Sequence, residues 1–391
     1  MTAALAPRWD IFAKVVDNYG DAGVCWRLAR ELAAARGFAV TLWLDDLAAL
    51  ARIAPGVVAA RDTQQVAGIT LRRWSDPLPL PLDLPDVVVE GFGCGLPDAY
   101  AAALAQRAPS PDWFVLEYLS AEPWVERTHG LASPHPRLPL SRRFWFPGFS
   151  AKTGGLLRER RLLATRDAFR GDPAAAAALW SALGVPTPGP GARRGLTLSL
   201  FCYPNPALPA LLDAWADGEA PITCIVPEGV AAGALDVWTG GALPHPLGAP
   251  FVRGRLTLAV VPFVDQEAYD RLLWACDVNF VRGEDSFVRA QWAARPFAWH
   301  IYPQAEGAHR VKLEAFLDRY AEGLDPAAAI AVRRFWRAWN GDPDAGPIGA
   351  AWLEFAAAGP QLEAHGARWS ARLAALPELA ESLAEAARNR I

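Results

Sequence analysis

Residues 15 to 33 read VVDNYGDAGVCWRLARELA, a short β-like run that hands over to a helix through a loop carrying Asp17 and Asp21 around Asn18 and Gly20. Carboxylates at the carboxyl edge of a strand either cap the next helix or meet a ligand. Asp21 stands where an N-cap belongs if the helix occupies 23 to 36, and Asp17 suits an Asx turn with Asn18 and Tyr19. Each aspartate alone is read most simply in that way. Two of them in one glycine-containing loop are more than one helix needs, and together they suit proton transfer or hydrogen bonding to a ligand.

A second stretch, WACDVNFVRGEDSFVRAQWAARPFAWHIYPQ (274 to 304), runs strand, R-G-E-D-S, helix. The free amides around Ser286 would then leave the sheet at its carboxyl edge as an anion site, with Arg282 adding a charge-assisted contact to phosphate. Glu284 and Asp285 would repel a diphosphate and fit better as acceptors for sugar hydroxyls. They equally suit a helix dipole that Ser286 caps. Phe201, Tyr203, Phe263 and Tyr269 are either core rings near strands or a stacking surface for a base, and Gln266 is either a ligand contact or a helix start.

Other chemistries find little support. There is no G-x-x-x-x-G-K-[ST] loop, and EGFGCGLP (90 to 97) lacks full G-x-G-x-x-G spacing, so a dinucleotide cofactor is not expected. The six histidines show neither an i, i+4 pair nor a neighbouring cysteine cluster, so no metal site is expected. GDPDAG (341 to 346) contains a D-x-D, but between helical segments it reads as a solvated turn.

The elements that must position these residues alternate along 391 residues, more than one core normally holds. A composition of 52% hydrophobic and 20% charged residues is that of a globular chain, and a net charge of -4 gives no global attraction for nucleic acid or anionic lipid. Five scattered cysteines read as reduced, buried thiols of a cytoplasmic protein, and neither a signal segment nor a membrane span is expected. The patterning predicts strands at 9–16, 38–44, 86–90 and 113–116, with a Pro/Gly/Arg-rich end to the first domain over 128–155. It predicts further strands at 196–202, 222–226, 256–261, 277–281 and 297–301, helices at 207–216, 266–275, 286–294 and 306–320, and a helical tail from 325. The implied α/β fold has two doubly wound lobes, 1–155 and 156–360, with helices 361–391 crossing back and the ligand in the cleft.

IFAKVVDNYGDAGVCWRLARELA, FWFPGFSAKTGGLLRE (144 to 159), LSLFCYPNPAL (198 to 208) and the 274 to 304 stretch resemble the EarP family of protein-arginine rhamnosyltransferases, which modify translation elongation factor P. The resemblance runs essentially end to end. It implies a GT-B glycosyltransferase fold with two Rossmann-like lobes, an inverting mechanism, dTDP-β-L-rhamnose as donor and one arginine of elongation factor P as acceptor. It further implies Asp17, Asp21 and Glu284 as catalytic carboxylates. The donor pocket it implies is Asn18, Tyr19, Gly20, Phe201, Tyr203, Phe263, Gln266, Tyr269, Arg282, Gly283, Asp285 and Ser286. Tyr269 falls at an aromatic position of that family, often Phe, so a stacking role survives the change.

This chemistry answers the two-aspartate loop. A protonated, delocalised guanidinium is a poor nucleophile until carboxylates orient it and take a proton. Asp21 is expected to be the base and Asp17 the orienting group. The leaving diphosphate would be stabilised by amides and Arg282 without a metal or other cofactor, and no enzyme nucleophile is needed. Elongation factor P is acidic in that family, so SRRFWF (141 to 146) is a candidate docking segment through Arg142 and Arg143. Two other readings share the fold: a GT-B transferase or sugar-nucleotide epimerase with a small or lipid-linked acceptor, and a non-catalytic nucleotide-sugar sensor. The paired aspartates argue against the sensor, and no apolar-basic patch recommends a membrane.

Overall fold

The computed structural model describes residues 6–16, 19–75, 78, 83–185, 195–304 and 307–388. The chain parts into two compact units, Met1–Arg160 with Leu373–Ile391, and Arg161–Arg372.

The first unit is built on β1 (Arg8–Ala13), β2 (Ala39–Leu44), β3 (Thr63–Val66), β4 (Ile69–Arg73), β5 (Val87–Gly91), β6 (Asp112–Leu116), β7 (Ala132–Pro134) and β8 (Ser141–Trp145). These lie in the order β3-β4-β2-β1-β5-β6-β8-β7, with β3 and β7 antiparallel edges on a parallel centre. Parallel strands covered on both faces are mostly apolar, and β5 and β6 are buried at every residue, Glu90 and Asp112 included. The hairpin of β3 and β4 turns at Ala67 and Gly68, whose φ values of 50° and 79° are those of a two-residue primed turn.

β1 ends at Ala13, three residues short of the sequence expectation. Its pairing with β2 stops at Leu44, and Val16 is 71% exposed beyond the sheet. The following helix starts correspondingly early and spans Gly20–Arg36.

The second unit carries β9 (Leu196–Leu200), β10 (Ile222–Pro227), β11 (Phe251–Arg253), β12 (Leu256–Val261), β13 (Val278–Arg282) and β14 (Phe297–His300), in the order β11-β12-β10-β9-β13-β14. All are parallel except edge strand β11. In each sheet the chain lays strands to one side of the first strand and then to the other. The switch points fall between β1 and β5 and between β9 and β13, where α/β sheets bind ligands.

The helix expected at 306–320 spans Ala308–Tyr320, and the tail is helical, as its periodicity predicts: Pro326–Trp339, Ile348–Ala357, Gly359–Ala374 and Leu379–Arg388. Aspartates at 265 and 325 cap the helices that follow them by accepting N–H groups of the first turn. The last helix belongs to the first unit, through a bridge of Leu156 with Glu378 and a hydrogen bond from Ser382 Oγ to the Gly154 carbonyl, 2.8 Å. Gly155 approaches so closely here that a Cβ would lie 1.8 Å from the Pro377 carbonyl oxygen, and its φ of +75° favours glycine as well. Among the described residues no helix is long and apolar enough to cross a membrane.

Candidate active site

In the first unit the helix Gly20–Arg36 leaves the carboxyl end of β1 with Tyr19 at its N-cap position, and no side chain caps it. Asp21 is therefore not the cap that its position suggested. It lies inside the first turn, 3% exposed, and its Oδ2 accepts the Val16 N–H at 2.8 Å. That bond draws the chain leaving β1 back onto the helix start and fixes the carboxylate's orientation. The helix is held from behind by Arg27, 1% exposed, which donates to Glu159 Oε1 at 3.0 Å. Asp17 and Asn18 lie outside the described residues, whereas Tyr19 and Gly20 are half-buried at the helix start.

The glycines of EGFGCGLP form a turn after β5, with positive φ at Phe92, Gly93 and Gly95. Glu90, 3% exposed, accepts the Gly95 N–H and the Trp113 indole N–H, each at 3.0 Å. These glycines thus serve a turn whose amide is met by the protein's own carboxylate.

Of the two arginines suggested for docking, Arg143 is engaged within the unit, while Arg142 is half-buried against a ring. Arg143 pairs with Asp112 at 3.0 Å, donates to the Ala386 carbonyl at 3.1 Å and lies over Phe114, while Arg142 lies over Trp113. Strand residues whose charges face the neighbouring strand and the terminal helix hold the unit together.

In the second unit, three loops at the carboxyl edge bring most of the expected donor residues together. The Arg282 guanidinium at the end of β13 lies over Phe201 and Tyr203, 4.4 and 4.8 Å from their centroids, and donates to the Cys202 carbonyl at 3.2 Å. Both rings follow β9, the central neighbour of β13, which explains the meeting. Tyr269 sits 5.6 Å from Phe201, and burial pushes its hydroxyl well above the usual tyrosine range. Gln266 Nε2 donates to Asp285 Oδ2 at 3.2 Å and links the loop after β12 to the loop after β13. Phe263 stands half-buried on the segment between β12 and the helix Gln266–Ala275.

Gly283 turns the chain with a φ of 59°, and the Trp299 indole N–H holds its carbonyl at 2.8 Å. Glu284 occupies the N-cap position of the helix Asp285–Ala293, half-buried and without a side-chain cap bond. Ser286 is not the cap either: its hydroxyl accepts the Arg282 N–H at 3.0 Å and donates to the Arg282 carbonyl. The serine ties the helix start to the strand end, leaving the first-turn amides at the edge where an anion would meet them.

Residues that the sequence reading did not single out fix this arrangement. Arg289 forms a bidentate pair with Asp270, Nε to Oδ1 at 2.8 Å and Nη2 to Oδ2 at 2.6 Å, with both residues almost completely buried. It clamps the helix that bears Gln266 and Tyr269 to the helix that begins after Glu284. Their only sequence signal is a charge on the inner face of each helix. His300 lies beside Arg282 in the sheet register and edge-on to Tyr203 at 5.5 Å. Burial, with the Arg282 charge next, pulls its imidazole down to about 4, so it is neutral at physiological pH.

All five cysteines are free, four buried and Cys94 partly so; burial pushes the Cys94 and Cys202 thiols up to about 12. Among the described residues no group of His, Cys, Asp and Glu is placed to hold a metal ion.

Residues 9–388 match the family model described as elongation factor P (EF-P) rhamnosyltransferase EarP. A protein-arginine rhamnosyltransferase of Pseudomonas putida is 50% identical over 381 residues, 97% of this chain and 98% of that protein. Its counterpart in Pseudomonas aeruginosa is 44% identical over 380 residues, 96% of this chain and 98% of that one. A solved structure concerned with EarP-mediated arginine glycosylation of translation elongation factor EF-P superposes with a TM-score of 0.70 at 39% identity, covering 98% of this chain and 100% of that one. The trehalose-6-phosphate synthase OtsA, 10% identical, superposes with a TM-score of 0.51 over 98% of this chain and 99% of its own, a likeness of fold alone. With two doubly wound sheets in one chain, the fold is GT-B.

Proposed function

The chain belongs to the EarP family of elongation factor P rhamnosyltransferases, and from that premise we propose that it moves L-rhamnose from dTDP-β-L-rhamnose to an arginine guanidino nitrogen of elongation factor P. The observation that carries this reading is the match of 9–388 to one family, joined to the meeting of the expected donor residues around Arg282.

In the second unit, the rings of Phe201 and Tyr269 offer faces for the thymine, and Arg282 with the first amides of Asp285–Ala293 offers positive charge to the diphosphate. Glu284 and Asp285, at the start of that helix, suit the sugar hydroxyls better than the phosphates. In the first unit, Asp21 is the proton acceptor: its carboxylate orientation is fixed by the Val16 N–H, so one defined geometry meets the guanidinium. Asp17 acts as the orienting carboxylate. Attack of the guanidino nitrogen on the anomeric carbon breaks the bond to the diphosphate. The nitrogen's proton passes to Asp21, and the diphosphate leaves with its electron pair. A single displacement inverts the anomeric centre. Charge on the leaving group is met by Arg282 and the amides, so the reaction proceeds without a metal.

The test is the intact mass of elongation factor P after incubation with this protein and dTDP-β-L-rhamnose in EDTA. One added deoxyhexose, mapped to one arginine, is expected. An unchanged mass while calorimetry still reports dTDP-rhamnose binding would overturn the acceptor assignment, and loss of transfer only in EDTA would overturn metal independence.

A further inference from the structure

Four neighbouring parallel strands of the first unit, β1, β5, β6 and β8, end level with one another: Gly91 pairs with Leu116, and Leu116 with Trp145. Just beyond this edge each strand is followed, directly or through a partner, by a large apolar side chain. Val16 after β1 is 71% exposed, Tyr118 after β6 is 37% exposed, and Trp124 is 40% exposed against Phe146, which follows β8. Phe92 after β5 is half-buried and stacks on Tyr118, centroids 4.7 Å apart and planes 25° apart. At about 4.8 Å per strand the four strand ends span roughly 15 Å. Exposed apolar side chains scattered singly need no explanation, but a stacked, part-exposed aromatic pair at a strand-end edge does.

Phe92 adds an independent observation. Its φ of 55° lies in the left-handed region, unfavourable for a side chain of this size by about 1–2 kcal/mol. Glycines on either side would take that conformation freely, yet the aromatic residue holds it. Gly91 before it has no room for a Cβ, which would lie 2.9 Å from the Phe12 carbonyl oxygen and 3.1 Å from Cys25 Sγ. The end of β5 is thus pressed against β1 and against the helix Gly20–Arg36, and Phe92 follows directly after it.

We propose that Phe92 and Tyr118 form the platform on which the acceptor protein's arginine-bearing loop is laid, with Trp124 holding the same loop farther along the edge. This rests on the reaction proposed above and adds residues that it does not assign. A guanidinium is the side chain that both stacks on aromatic faces and pairs with carboxylates, and the edge offers an aromatic pair at the end nearest Asp21. The arginine lies at the Val16–Phe92 end, and the loop runs toward Trp124.

The test is steady-state transfer to intact elongation factor P with dTDP-β-L-rhamnose, varying each substrate in turn. Tyr118→Ala and Trp124→Ala are expected to raise the acceptor KM about tenfold each while leaving the donor KM in place. Tyr118→Phe, which keeps the ring, restores the acceptor KM. Phe92→Gly relieves the strain, raising the melting temperature and the acceptor KM together. An acceptor KM within twofold of the parent in Tyr118→Ala and Trp124→Ala, or a rise confined to the donor KM, would overturn the platform. Absence of transfer by the parent protein overturns the proposed reaction instead, a result distinguishable from either.

Discussion

Asp21 and Arg282 are the two side chains whose local geometry says most about what each does. Asp21 is 3% exposed and bonded to a backbone N–H, so Asp21→Asn preserves shape and the bond to Val16 while removing the ability to take a proton. Transfer should fall about 10²–10⁴-fold with donor affinity retained by calorimetry; a variant keeping more than a tenth of the rate would move the base elsewhere. Arg282 lies over Phe201 and Tyr203, so Arg282→Lys keeps the charge but loses the planar, forked guanidinium that rings and phosphate can share. Binding of dTDP should weaken by about 1.5–3 kcal/mol in that variant, and equal affinity would show that only net charge matters. Residue types in the two loops were legible from sequence because each loop joins a strand to a helix. What Asp21 and Ser286 bond to was not, because one-residue shifts in a helix start decide whether an Asx or Ser side chain caps.

The elements that carry the donor residues are held by a contact between helices 266–275 and 285–293. Asp270 and Arg289 are 4% and 2% exposed, so removing one partner strands a buried charge. Asp270→Ala should cost about 3–5 kcal/mol in chemical denaturation, and adding Arg289→Met should recover part of it. A cost below 1 kcal/mol would mean that apolar packing alone positions Gln266 against Asp285. Both helices and the strands before them were legible, since β12 and β13 are apolar runs with helical periodicity following. The pair itself is a match nineteen residues apart that periodicity cannot register. The hairpin of β3 and β4 escaped notice for a related reason: TQQV and ITLRR are short strands at the margin of the sheet, partly exposed, and their turn depends on Ala67 as well as Gly68 taking positive φ.

Across the whole chain, the terminal helix clusters with the unit that opens the sequence, and its docking makes stability depend on pH. Glu378 accepts N–H groups from Arg158, Ala380 and Glu381 where the chain enters that helix. Burial nevertheless outweighs these bonds, with Glu31 adding to it, and raises the carboxyl from 4.5 to about 7. Asp10, in β1 of the same unit, is raised from 3.8 to about 6 by burial against the pull of its bonds to Tyr100 and Trp43. A carboxyl with a higher value in the folded chain than in the unfolded one binds its proton more tightly when folded. Its stabilisation is complete below the unfolded value and is lost as pH rises through the folded one. For Glu378 the window is about pH 4.5 to 7, and the amount is on the order of 3 kcal/mol. Glu378→Gln stays neutral and can still accept the N–H groups through its amide oxygen. Denaturant midpoints of parent and variant should therefore converge or cross in the variant's favour between pH 5 and 8.5, by an amount near that figure. A difference between them that stays constant over the range would show that the Glu378 carboxyl is already ionised at pH 5, with its three N–H donors outweighing burial.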